Sequence, residues 1–200
     1  MNATTGSSDS TTAGPALVVA ILGAESTGKT WLAQSLAQHL TERARLRATW
    51  VPETLRAWCD AQGRTPRAEE QQAIAQAHHA AIDEAAGHHD VVLCDTTAAM
   101  TATYSRLLFD DGSLDGYAAG VHRRVAVTLV TALDLPWVAD GLQRDGPQVR
   151  EPVDASLRAW LDAHRLAWHR VQGHGEARMQ HALHLLQPAL RNRWPALALS

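Results

Sequence analysis

Residues 16–30 read ALVVAILGAESTGKT, and the break inside this stretch decides the fold. Ala16–Leu22 is an unbroken apolar run of strand length, the pattern of a parallel strand buried on both faces. Gly23-Ala24-Glu25-Ser26-Thr27-Gly28-Lys29-Thr30 follows and fits G-x-x-x-x-G-K-[ST] at every fixed position. Thr30 to about Arg43 then reads as a helix, with Leu32, Leu36 and Leu40 on one face. A strand, a glycine loop and a helix in this order make a phosphate cradle. The glycines let backbone N–H groups close around an anion, and the helix N-terminus adds its positive end. In such a cradle Gly23 to Thr30 bind the nucleotide. Lys29 reaches the outer phosphates and the Thr30 hydroxyl takes magnesium. Lys29 is also the chain's single lysine against 17 arginines. A flexible ammonium therefore stands at the one place where an arginine fork would not fit.

Working outward, Leu46–Val51 reads as a second strand ended by Pro52, and Glu53–Ala61 as a short helix. Pro66–Ala86 reads as a long helix that ends at Gly87. Asp90–Asp95 is a third strand, Thr97–Leu108 a helix, Val125–Val130 a fourth strand and Ala167–Val171 a fifth. Asp134–Pro152 is rich in charge, Gly and Pro and reads as a loop before a helix over Val153–His164. Glu176–Leu190 is the last helix. Strands alternating with helices predict a five-stranded parallel sheet with helices on both faces, the three-layer α/β sandwich of P-loop NTPases. Residues 1–14 are rich in Ser, Thr and Gly and read as a tail, leaving 15–200 as one domain.

Asp95 ends the third strand. Beside a P-loop this acid would hold magnesium with Thr30; the plainer reading is a cap on the next helix. Glu53 and Arg56 lie at the carboxyl edge of the sheet, where ligands of open sheets bind. Either they face a substrate or they form a surface i,i+3 ion pair. In the 134–150 segment, Trp137 and Asp140 are candidates for substrate contact. Arg144 and Arg150 are candidates for neutralising a transferring phosphoryl group from a lid. The alternative is a solvated connector. Trp50 and Tyr104 fall near the same edge, whereas Trp31, Trp58, Trp160, Trp168 and Trp194 read as packing residues.

Composition narrows the classes. A net charge of -3 and no basic run longer than Arg123-Arg124 argue against nucleic acid as partner. No apolar run is long enough for a membrane span, and residues 1–14 lack the pattern of a signal peptide, so a cytoplasmic location is expected. Cys59 and Cys94 match no metal spacing. The adjacent pairs His78-His79 and His88-His89 point about 100° apart on a helix and cannot easily share an ion. A guanine-reading Asn-Lys-x-Asp needs a second lysine, which excludes that kind of GTPase switch. The expected ligands are ATP and Mg2+, and the partner a small-molecule substrate. A regulatory ATPase that switches a partner is the alternative.

Four strings, GAESTGKT, VPETLR, VVLCDTTAAMT and above all DLPWVADGLQRDGPQVR, resemble the nicotinamide riboside kinase domain of NadR-type proteins. Pro-Trp-Val followed by Asp-Gly-Leu and arginines is not generic to P-loop proteins. The resemblance spans most of residues 16–185 and implies a stand-alone kinase module of NAD biosynthesis. It implies ATP and magnesium at Gly28, Lys29 and Thr30, an acid at Asp95, substrate contacts at Glu53 and Arg56, and lid residues at Arg144 and Arg150. Phosphorylation of the 5′-hydroxyl of nicotinamide riboside is the implied reaction. The family often has Asp-Thr-Asp after the third strand, where this chain has Asp95-Thr96-Thr97. It also tends to place an aromatic residue where this chain has Pro52.

Overall fold

The computed structural model describes residues 14–138 and 146–197. Five strands, β1 (Leu17–Leu22), β2 (Ala48–Val51), β3 (Val91–Asp95), β4 (Val127–Thr131) and β5 (His169–Val171), form one all-parallel sheet in the order β2-β3-β1-β4-β5. The helices are α1 (Lys29–Glu42), α2 (Thr54–Gln62), α3 (Gln71–His88), α4 (Ala98–Phe109), α5 (Asp115–His122), α6 (Arg150–Ala163) and α7 (Gly175–Arg193). The parallel α/β sandwich expected from the sequence is the observed fold.

Side chains of β1 alternate between two cores, as period-2 geometry requires. Val19 and Ile21 face Leu32, Leu36 and Leu40 of α1 and Leu186 and Leu190 of α7. Ala20 and Leu22 face α4, α5 and α6, with Trp160 and Leu157 among their neighbours. Both faces of β1 are buried, so its sequence reads as a continuous apolar run. The central place of β1 also sets the site. Its partners put Asp95 beside Ile21 and Val130 beside Leu22, so the ends of β3 and β4 flank the loop after Leu22.

Several boundaries differ from the sequence reading. The loop expected to run to Pro152 ends sooner: a 3-10 turn covers Pro147–Val149 and α6 begins at Arg150. Pro152 is tolerated because the first turn of a helix has unbonded N–H groups anyway. The helix α7 continues through Pro188 to Arg193 instead of ending at Leu190. Its buried stripe of Met179, Ala182, Leu183, Leu186 and Leu190 outweighs the lost bond. The expected tail, residues 1–14, lies outside the described residues except for Gly14.

Two histidines fasten the segment after β3. His78 Nε2 lies 3.1 Å from the Thr96 carbonyl, which can only accept, so Nε2 carries the proton. His78 Nδ1 then accepts from the Thr54 hydroxyl at 2.7 Å. His122 spans Thr97 Oγ1 at 3.2 Å and Thr128 Oγ1 at 2.9 Å. Burial lowers the pKa of both, that of His122 from 6.5 to about 4. The neutral ring is the folded form, so the unfolded chain takes up the proton first as pH falls. His122 therefore contributes stability that is full above pH 6.5 and is lost as pH drops towards about 4. The loss is on the order of 3 kcal/mol for this group. Urea unfolding at neutral and mildly acidic pH checks this: His122→Gln should show a clearly shallower pH dependence than the native chain, and an identical dependence would refute it.

Candidate active site

The loop between β1 and α1 is shaped by backbone that only certain residues accept. Gly23 has φ 146°, and a Cβ there would lie 2.2 Å from Thr131 Oγ1, a collision. Gly28 has φ 75°, and a Cβ there would press on Leu135 at 2.9 Å. Ser26 also takes a left-handed φ of 52°. The result is a tight turn that delivers the first N–H groups of α1 to one point.

Side chains beneath the loop lock it. Thr27 is fully buried, and its hydroxyl donates to the Ala24 carbonyl at 2.8 Å. Thr131, at the end of β4, reaches Thr27 Oγ1 at 2.7 Å and the Leu22 carbonyl at 3.1 Å. With one proton, Thr131 makes its shorter contact to Thr27. Arg178, in the first turn of α7, is 1% exposed. Its guanidinium donates to the carbonyls of Thr27 and Gly173 and pairs with Asp134. Burial pushes its pKa down while Asp134 opposes the shift, and a guanidinium stays charged in proteins regardless. Sequence reasoning missed this residue. Its signal is position: Arg178 shares a helical stripe with Ala182 and Leu186, both fully buried, where a charge is not expected.

Above the loop, Lys29 Nζ donates to the Ala24 carbonyl at 2.9 Å. Thr30 Oγ1 donates to Asp95 Oδ2 at 2.5 Å. Asp95 is 2% exposed, and its other oxygen, Oδ1, is buried without a hydrogen-bond partner. A buried carboxylate oxygen without a donor beside a hydroxyl is a hard-oxygen pair suited to magnesium. Magnesium takes few protein ligands and keeps phosphate oxygens and waters, so two protein oxygens suffice for it. Thr97, where the sequence lacks a second acid, caps α4 through a bond from the Ala99 N–H and holds His122.

Lys29 opens onto a narrow cleft of about 30 Å³. Its walls include Glu53, Arg56, Thr96, Tyr104 and Trp137. Glu53 and Arg56 also approach to 3.9 Å, so their ion pair and a place in the cleft coexist. Trp50 is not there; it packs with the α1 core on the other face. The segment carrying Trp137 leans on the loop, since Ser26 Oγ donates to the Val138 carbonyl at 2.5 Å. Arg150, 7% exposed, donates to the Leu135 carbonyl at 2.9 Å, and Nη2 lies 3.5 Å from the Ser26 carbonyl. Its place is at the start of α6 and not on a loop, and its Nε is buried without a partner. Asp140 and Arg144 lie outside the described residues.

If Arg178 fixes the cradle, Arg178→Met should cost about 2–4 kcal/mol, below the upper range for fully buried pairs because Asp134 is 30% exposed. Affinity for MgATP should fall roughly tenfold or more. Urea unfolding and calorimetric titration measure the two effects, and a variant unchanged in affinity would remove Arg178 from the cradle.

No curated protein matches the sequence. Among solved structures the fold is close to that of NadR protein in complex with NAD and AMP-PNP, with TM-score 0.68 and 18% identity over 86% of this chain and 49% of that one. NadR protein in complex with NR gives TM-score 0.71 and 19% identity over 86% of this chain and 50% of that one. The chain thus spans about half the length of the NadR chains. Thymidylate kinase from Ehrlichia chaffeensis gives TM-score 0.56 and 14% identity over 87% of this chain and 98% of that one. At these identities the likeness is one of fold, that of P-loop kinases. The family model of the AAA domain matches residues 18–178, most of the chain, and this protein belongs to that family.

Proposed function

We propose that this chain is an ATP- and magnesium-dependent kinase of a nucleoside, with nicotinamide riboside as the acceptor. The observation that carries the reading is the Thr30–Asp95 contact, with Asp95 Oδ1 left over, one wall away from a cleft edged by Glu53, Arg56 and Trp137. The glycine loop and a set of polar and aromatic groups meet at one sheet edge. The acceptor is suggested by the NadR-like strings and by the NadR structure that holds NR.

In the proposed reaction the acceptor hydroxyl oxygen forms a bond to the γ-phosphorus while the bond to the β–γ bridging oxygen breaks. The hydroxyl proton leaves to a carboxylate, for which Glu53 on the cleft wall is the candidate. Thr30 and Asp95 would hold magnesium, which neutralises phosphate charge when bound. Lys29 would exchange the Ala24 carbonyl for phosphate oxygens, and Arg150 would give its unmet Nε donor to the same charge. Trp137 offers a flat face to a pyridinium ring.

The cleft of about 30 Å³ is far below the few hundred Å³ that small-molecule sites provide. Admission of a nucleoside therefore requires the segment around Trp137 and Val138 to swing off the loop. That segment is the lid of this reading, latched by the Ser26–Val138 contact and anchored at Leu135 by Arg150.

ATP consumption with magnesium, followed with nicotinamide riboside and with other nucleosides, tests the proposal. Stimulation by nicotinamide riboside with its mononucleotide as product is expected, and Asp95→Asn should lower that rate by roughly a hundredfold or more. Turnover indifferent to every nucleoside would overturn the kinase reading and favour a regulatory ATPase.

A further inference from the structure

Away from the cleft beside Lys29 lies a separate space of about 700 Å³ between α3 and the end of α5. Its walls are mainly apolar, with Val18, Ile82, Ala86, Ala98, Val121 and Val125 beside Thr97 and His122. Three further polar side chains, His79, Asp83 and Arg124, stand together at its mouth. Arg124 pairs with Asp83 at 2.9 Å and donates to His79 Nε2 at 3.3 Å, and His79 lies 3.4 Å from Asp83. The one arginine and one aspartate cancel, so the mouth has no net charge to offer an ion. The volume lies within the range of small-molecule sites.

Small side chains border the space: Ala86, half-buried in the last turn of α3, and Ala98, buried at the start of α4, both line it, while Gly87 beside Ala86 is exposed.

The cavity and the active-site cleft meet along the chain at one point: Thr97 lines the cavity and its neighbour Thr96 lines the cleft, while His79 lines the cavity beside His78. His78 bonds the Thr96 carbonyl, and Thr96 follows Asp95 directly. A body pressing on Thr97 or His79 therefore pushes on the segment that positions Asp95.

We infer that this cavity is a second ligand site, for an uncharged molecule with an apolar body of two or three rings, and that its occupancy changes nucleotide affinity through the Asp95–Thr97 segment. The inference rests on nucleotide binding at the loop, not on the identity of the acceptor. The probe is N-phenyl-1-naphthylamine, an uncharged fluorophore, titrated into the full chain with no nucleotide present and then at rising MgATP. One saturable site is expected. Ala86→Phe, which adds a ring to the cavity wall, should weaken probe binding at least tenfold, while Ala86→Gly should bind as the native chain does. MgATP should shift the probe affinity by a factor that levels off once the nucleotide site is full. Absence of saturable binding, or equal binding by Ala86→Phe, would overturn the site. A probe affinity that falls without limit as MgATP rises would mean a shared site, and one that ignores MgATP would overturn the transmission.

Discussion

A loop that binds phosphate must hold several N–H groups pointing at one spot before the anion arrives, and here a buried arginine does much of that work. Arg178 takes the Thr27 carbonyl from below, and Thr131 takes the Thr27 hydroxyl from the side. The arginine's charge is costly to bury, and Asp134 is its compensation. Asp134 also accepts from the Gly173 N–H at 2.7 Å, so the turn before α7 and the strand end after β4 are fastened by the same carboxylate. The sheet order makes this convergence possible. Because β1 is central, the ends of β3, β4 and β5 all reach the cradle without long connections.

The same economy appears on the other side of the loop. Histidines 78 and 122 are buried and neutral, each using both ring nitrogens to tie a threonine after β3 to another element. Thr96 is held at φ 72°, which a β-branched residue adopts only under constraint. A bond from its N–H to the Ile21 carbonyl at 3.0 Å and the His78 bond to its carbonyl hold it there. Backbone held this way fixes the direction of Asp95 and hence the distance between Asp95 and Thr30. The hydroxyl of Thr97 serves the fold, through His122 and the Ala99 N–H.

The cradle was legible because its chemistry forces sequence. Gly23, Gly28, Lys29 and Thr30 each meet a steric or electrostatic demand that few residues satisfy. The apolar run before them follows from burial on both faces, and Asp95 from its place beside Ile21. Arg178 and Thr131 were not legible, since any donor reaching the Thr27 region from another element could brace the loop, and no local pattern encodes it. The boundaries at Arg150 and Pro188 were misread for a related reason. Turn residues report local preference, while α6 and α7 are held by packing against the sheet. Trp50 shows the limit of edge arguments: on a strand, one position decides which face a ring takes, and Trp50 lies on the α1 side.

The account stands on the cradle as a binder of nucleotide triphosphate with magnesium. Equilibrium titration of MgATP into the native chain and into Lys29→Ala is the most direct check. The native chain should bind one equivalent, and Lys29→Ala should lose roughly a hundredfold or more in affinity, with its fold retained by circular dichroism. Equal binding by the two proteins, or none by the native chain, would contradict the account at its base.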